Sequence, residues 1–115
     1  PESHLFPESQ KYITELIALV NNCKHSIVLT THSPYVLGTL NNLLYAWTIS
    51  IKNHQKVNGI IPESYWLDYH NFDSWFVREG RSENCMDAEI DMIQNERIDE
   101  ISKVINYDFE QLLEL

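Results

Sequence analysis

Residues 26–31, Ser-Ile-Val-Leu-Thr-Thr, constrain the fold of this chain more than any other segment. The run is apolar and β-branched, with no polar alternation until its end. A half-exposed strand alternates, so this pattern fits a strand covered on both faces, as in a parallel sheet. Upstream of it, Ile13, Leu16, Ile17 and Val20 recur at helical spacing. Phe6-Pro7-Glu8 marks the start of that helix: Pro7 has the fixed φ of a first turn, and Glu8 complements the positive end of the dipole. Asn21-Asn22 ends it. Its one apolar face is predicted to pack on a sheet. A helix followed by a buried strand is half of a βαβ unit, so the expected fold class is α/β.

After the strand, Ser33 is a good N-cap and Pro34 a good first helical residue. Tyr35, Val36, Leu37 and Leu40 then form a short helical stripe, which Asn41-Asn42 is expected to break. Leu43 to Ile51 alternates, with Tyr45, Trp47, Ile49 and Ile51 on one face, and reads as a half-exposed strand. Asn53 to Pro62 reads as a polar loop. Two more strands are predicted at 65–69, with Tyr65, Leu67 and Tyr69 on one face, and at 74–79, closed by a turn at Gly80. Asn71-Phe72-Asp73 is the turn between them. One Trp falls on each strand, as a large aromatic covering a small sheet. Ile98, Ile101, Ile105, Phe109 and Leu112 give a C-terminal helix with an acidic outer face. A soft boundary near Asn42 divides a piece of α/β core (1–42) from a strand-rich extension with the acidic helix (43–115).

At 115 residues the chain is one domain or less. No run of about 18 apolar residues occurs, so no membrane span is expected. The opening, PESHLFPESQ, has neither a basic start nor an apolar stretch like a signal peptide's, and it lacks Met, which reads as an excised or processed piece. The net charge of −9 is uneven. Residues 1–57 carry four Lys/Arg against three Asp/Glu, and residues 58–115 four against fourteen. An acidic half repels phosphate backbones, which argues against direct nucleic-acid binding. It reads as a solvated surface or, more sharply, as a face where a partner protein docks. Cys23 and Cys85 are too few and too far apart for a zinc motif or disulfide framework, and Cys23 is expected to be buried or half-buried. The low count suits a reducing, cytoplasmic setting.

Two segments carry the candidate chemistry. The first is Pro1-Glu2-Ser3-His4-Leu5-Phe6-Pro7, with Gln10 behind it. The second is the strand ending Thr30-Thr31-His32-Ser33-Pro34. Open α/β sheets bind ligands at the carboxyl ends of their strands. A His placed there, just before a helix N-terminus, can donate to a phosphate oxygen, although a lone His at a strand end is more often structural. Together the segments resemble the end of an ABC-type ATPase head of the bacterial AAA-like and overcoming-lysogenization-defect group. That group carries Pro-Glu-x-His-Leu-x-Pro, a helix, and a strand ending Thr-His-Ser-Pro. Here Pro7 and Thr31 stand about 24 residues apart. The motifs cover roughly residues 1–40, and the rest fits the family in outline.

The resemblance implies a fragment of a P-loop NTPase sheet-and-helix core. It implies that His32 is the switch histidine, sensing the γ-phosphate and helping to hold the attacking water, with Thr31 and Ser33 as its neighbours. It implies that Glu2, Ser3, His4 and Leu5 form the D-loop, which communicates across a head-to-head homodimer enclosing two ATP molecules. Phosphoryl transfer depends on positioning and charge stabilisation more than on covalent chemistry, so a donor at the γ-phosphate suffices as a role. No G-x-x-x-x-G-K-S/T occurs, and the three Gly are isolated. The family's acidic pair, which holds Mg²⁺ and polarises water, would precede Pro1. ATP and Mg²⁺ are therefore expected in an intact parent, with no cofactor and no ATP hydrolysis in this fragment alone. The work driven is open, with DNA maintenance and phage defence represented among relatives.

Other features are weaker. Phe76-Val77-Arg78-Glu79-Gly80, followed by Asp87, Glu89 and Asp91, echoes the start of a Toprim nuclease, but only about seven residues stand where that domain needs a full βα unit. A hairpin turn at Gly80 followed by an acidic exposed segment is the simpler reading. His25, His54 and His70 have no ligand spacing, and no metal site is expected. The alternative to the ATPase is a non-catalytic interaction or dimerisation module, in which residues 1–40 complete a core and the tail helix and aromatic strands bind.

Overall fold

A computed structural model describes residues 6–94, 108 and 111–114. Helix α1 runs Pro7–Asn22, and the much longer α2 runs Pro34–Ile60. Two single 3₁₀ turns follow, Glu63–Tyr65 and Tyr69–Asn71. Strands β1 (Trp75–Arg78) and β2 (Arg81–Asn84) form one antiparallel hairpin, and β3 (Met86–Asp87) and β4 (Met92–Ile93) a second. The chain is thus a mixed helical and β structure whose described strands are all antiparallel.

α1 begins and ends as its sequence predicts, with Pro7 in the first turn and Glu8 beside it. The buried side differs from expectation. Gln10, Thr14 and Ala18, spaced i, i+4 and i+8, face inward, whereas Ile13, Leu16 and Val20 remain exposed. No described sheet covers that stripe. Residues 26–31 form no strand with any described residue. The run is irregular in the structure, with Val28 95% exposed. A run of this composition gains its burial and backbone pairing from neighbouring strands. Cys23 is exposed, not buried: it caps α1 at the surface, and Lys24 (φ 70°) turns the chain away in the left-handed region.

α2 overturns the largest expectation. The predicted break at Asn41-Asn42 and strand at 43–51 are both helix, so the boundary near Asn42 falls inside an element. Val36, Leu40, Leu43 and Leu44 lie at helical spacing and are buried together with Ala18, Leu67, Cys85 and Ile93. The alternation of 45–51 had two periods available to it. The helical one wins because Leu43, Leu44 and Ala46 are the residues that find a core, while Tyr45 and Ile51 face outward. Asn41 does not break the helix because its amide is satisfied elsewhere. Its Nδ2 donates to the Ile93 carbonyl at 3.0 Å, and its Oδ1 accepts from the Ile93 N–H at 2.8 Å. One side chain thus replaces a neighbouring strand for β4. The loop predicted from Asn53 is helical to Ile60, but Asn53 itself (φ −139°, ψ 51°) kinks α2.

Residues 65–69 are not a strand either, yet their faces separate as read. Leu67, Tyr65 and Tyr69 pack on the first core, while Trp66 joins Ala46 and Val57 in a second cluster. The Trp66 indole N–H donates to the Ile61 carbonyl at 2.8 Å. Asn22 at the end of α1 donates to the Ser64 and Trp66 carbonyls at 2.9 and 2.7 Å, tying this segment to α1. The three Trp do not cover a common sheet: Trp47 is on α2, Trp66 is buried in the second cluster, and Trp75 is exposed on β1. The hairpin turn at Gly80 is present. Glu79 (φ 51°) and Gly80 (φ 75°) both take positive φ, the two-residue turn whose twist matches antiparallel strands. The predicted tail helix falls largely outside the described residues, of which 108 and 111–113 are helical.

Candidate functional site

The segment Thr31-His32-Ser33 is built from both helices. Ser33 caps α2: its Oγ accepts from the N–H groups of Tyr35 and Val36 at 3.2 and 3.4 Å. The Thr31 Oγ1 accepts from the Ser33 N–H at 3.0 Å and folds the segment into a tight turn. The Ser33 hydroxyl donates in turn to the Gln10 Oε1 on α1. Gln10 and Ser33 are 8% and 7% exposed, so the link is buried. On α1, Thr14 Oγ1 donates to the Gln10 carbonyl at 2.7 Å. His32 projects from this turn and is exposed at the positive end of a 27-residue helix. Such an end favours an anion, and an accessible imidazole beside it can donate a hydrogen bond to one.

Of the sequence-derived candidates, Thr31, His32 and Ser33 come together here. Glu2, Ser3, His4 and Leu5 lie outside the described residues. They directly precede Phe6 and α1, the helix that carries Gln10. Gln10 was visible in the sequence only as the residue behind the first segment. Nothing in the pattern marks it as the partner of Ser33, because a pair 23 residues apart leaves no local trace.

The remaining candidates are positioned structurally. Glu79 sits in the hairpin turn, and Arg78, Arg81 and Glu83 line a shallow surface hollow beside it. Asp87 caps a turn by accepting from the Glu89 N–H at 3.0 Å. His54 Nε2 lies 3.3 Å from the Glu63 carboxylate and edge-on to Trp66. His70 bonds Asp68 at 2.7 Å and stacks on Tyr69, with Trp47 edge-on to both. Among the described residues no three His, Cys, Asp or Glu come together as a metal site. No helix among them is long and apolar enough to cross a membrane. Compared with protein-family models, curated proteins and solved structures, the chain matches none.

Proposed function

We propose that this chain is the C-terminal part of the head of an ABC-type ATPase and supplies its switch histidine, His32. The observation that carries this reading is the turn Thr31–Ser33. It is fixed by a buried bond to α1 and places an accessible imidazole at the N-terminus of α2. In the intact head, a phosphate-binding loop and an acidic pair from segments preceding Pro1 hold ATP and Mg²⁺. His32 donates to the γ-phosphate and steadies the attacking water, where charge develops in the transition state. Thr31 and Ser33 hold it in place. Glu2, Ser3, His4 and Leu5 meet a second head. ATP closes the pair because it binds the closed state more tightly than the open one, and hydrolysis reopens it. The exposed stripe Ile13, Leu16 and Val20 and the uncovered residues Ile27 and Val28 support the same reading, since a helix and a β-branched run of this kind are what a larger parallel sheet would cover.

The test is Mg²⁺-dependent ATP turnover by the complete gene product and by the 115-residue chain separately. Turnover is expected in the first and not in the second. Absence of turnover from both would overturn the reading in favour of an interaction module, for which the same exposed α1 stripe would be the docking face.

A further inference from the structure

We infer that Gln10 is a positioning residue for His32, acting through Ser33. The inference rests on the ATPase reading and assigns a role to a side chain that the motifs alone leave idle. A buried amide and a buried hydroxyl are costly to hold away from water unless each is bonded. Here they bond each other, on the one face of α1 that is buried, while the apolar stripe of the same helix remains outside. The Ser33 hydroxyl has one proton and two lone pairs. The proton goes to Gln10, and the lone pairs accept from Tyr35 and Val36. Every valence of the cap is used, so the hydroxyl has a single satisfied rotamer. That rotamer fixes the residue directly following His32. A fully satisfied buried network of this kind specifies one geometry more sharply than apolar packing does. Gln10 also lies in the first turns of the helix that follows residues 2–5. The bond therefore ties the start of α1 to the cap of α2.

Two substitutions separate positioning from packing in the complete protein. Gln10→Met keeps length and volume but removes the acceptor, and Gln10→Glu keeps an accepting oxygen. The Met variant is expected to lose roughly 10- to 100-fold in kcat, the scale of a misplaced catalytic group, with KM little changed. The Glu variant is expected to recover most of that loss. The His32 imidazole Hε1 resonance is expected to shift or broaden in the Met variant while that of His70 stays in place. Wild-type turnover in Gln10→Met, alongside a strongly impaired His32→Ala, would overturn the inference and leave Gln10 as packing. Equal losses in the Met and Glu variants, with lowered unfolding midpoints, would overturn it as well. If His32→Ala is itself silent, the ATPase reading falls, and the link is decided by the resonance: an unchanged His32 signal in Gln10→Met overturns it, and a selective shift sustains it.

Discussion

Replacing His32 by alanine in the complete protein is expected to lower ATP turnover roughly 100- to 1,000-fold, the usual cost of removing one donor aimed at developing charge. The protein should remain folded. His32 is exposed, and Ser33, not His32, satisfies the first N–H groups of α2. Ser33 therefore keeps the start of α2 capped when the exposed His32 side chain is removed. On the ATPase reading, ATP binding should weaken far less than kcat falls, because His32 would act where charge develops in the transition state rather than in the ground state. Single-turnover kinetics with unfolding midpoints for both proteins separate the two effects. Turnover within a few-fold of wild type would remove His32 from the chemistry.

The largest effect on folding is expected at Asn41. Asn41→Leu keeps the shape of the side chain and leaves both backbone groups of Ile93 without a partner. Ile93 is 1% exposed, so water does not replace the lost bonds. Each buried orphaned group costs about 1–3 kcal/mol, which puts the loss at roughly 2–5 kcal/mol. The loss should also be local at first: the Ile93 amide should exchange with solvent much faster, along with that of Gln94, which donates to the Cys85 carbonyl at 2.7 Å across the same hairpin. Denaturant unfolding and amide exchange on the complete protein measure both. An unchanged Ile93 amide in Asn41→Leu would show that the clamp does not hold β4.

What the sequence reveals and what it conceals divide along the range of the interactions. The ends of α1, the start of α2 at Ser33-Pro34 and the turn at Glu79-Gly80 are legible because Pro, Ser and Gly act on the backbone within a few residues. Asn41 is misread for the opposite reason. Alone it looks like a helix breaker, and only a contact 52 residues away satisfies its amide inside α2. The alternation of 43–51 is compatible with a strand until Val36, Leu40, Leu43 and Leu44 are seen to share one core with Ile93. At 65–69, which runs between two 3₁₀ turns, neighbouring side chains do go into different clusters, without strand pairing among the described residues. The run 26–31 carries the signal of a doubly covered strand, but it pairs with no described strand, Val28 is exposed, and Leu29 packs only partly against the described core. The candidate site shows the same division. Thr31, His32 and Ser33 stand out by their order, whereas Gln10 becomes their partner only when α1 packs on α2.

Reading the coding sequence immediately 5′ of the Pro1 codon tests the ATPase reading most directly. The expected result is an apolar strand ending in two acidic residues that abuts Pro1, with a G-x-x-x-x-G-K-S/T loop far upstream. A short leader carrying neither motif would contradict it, since no phosphate cradle would then exist for His32 to complete.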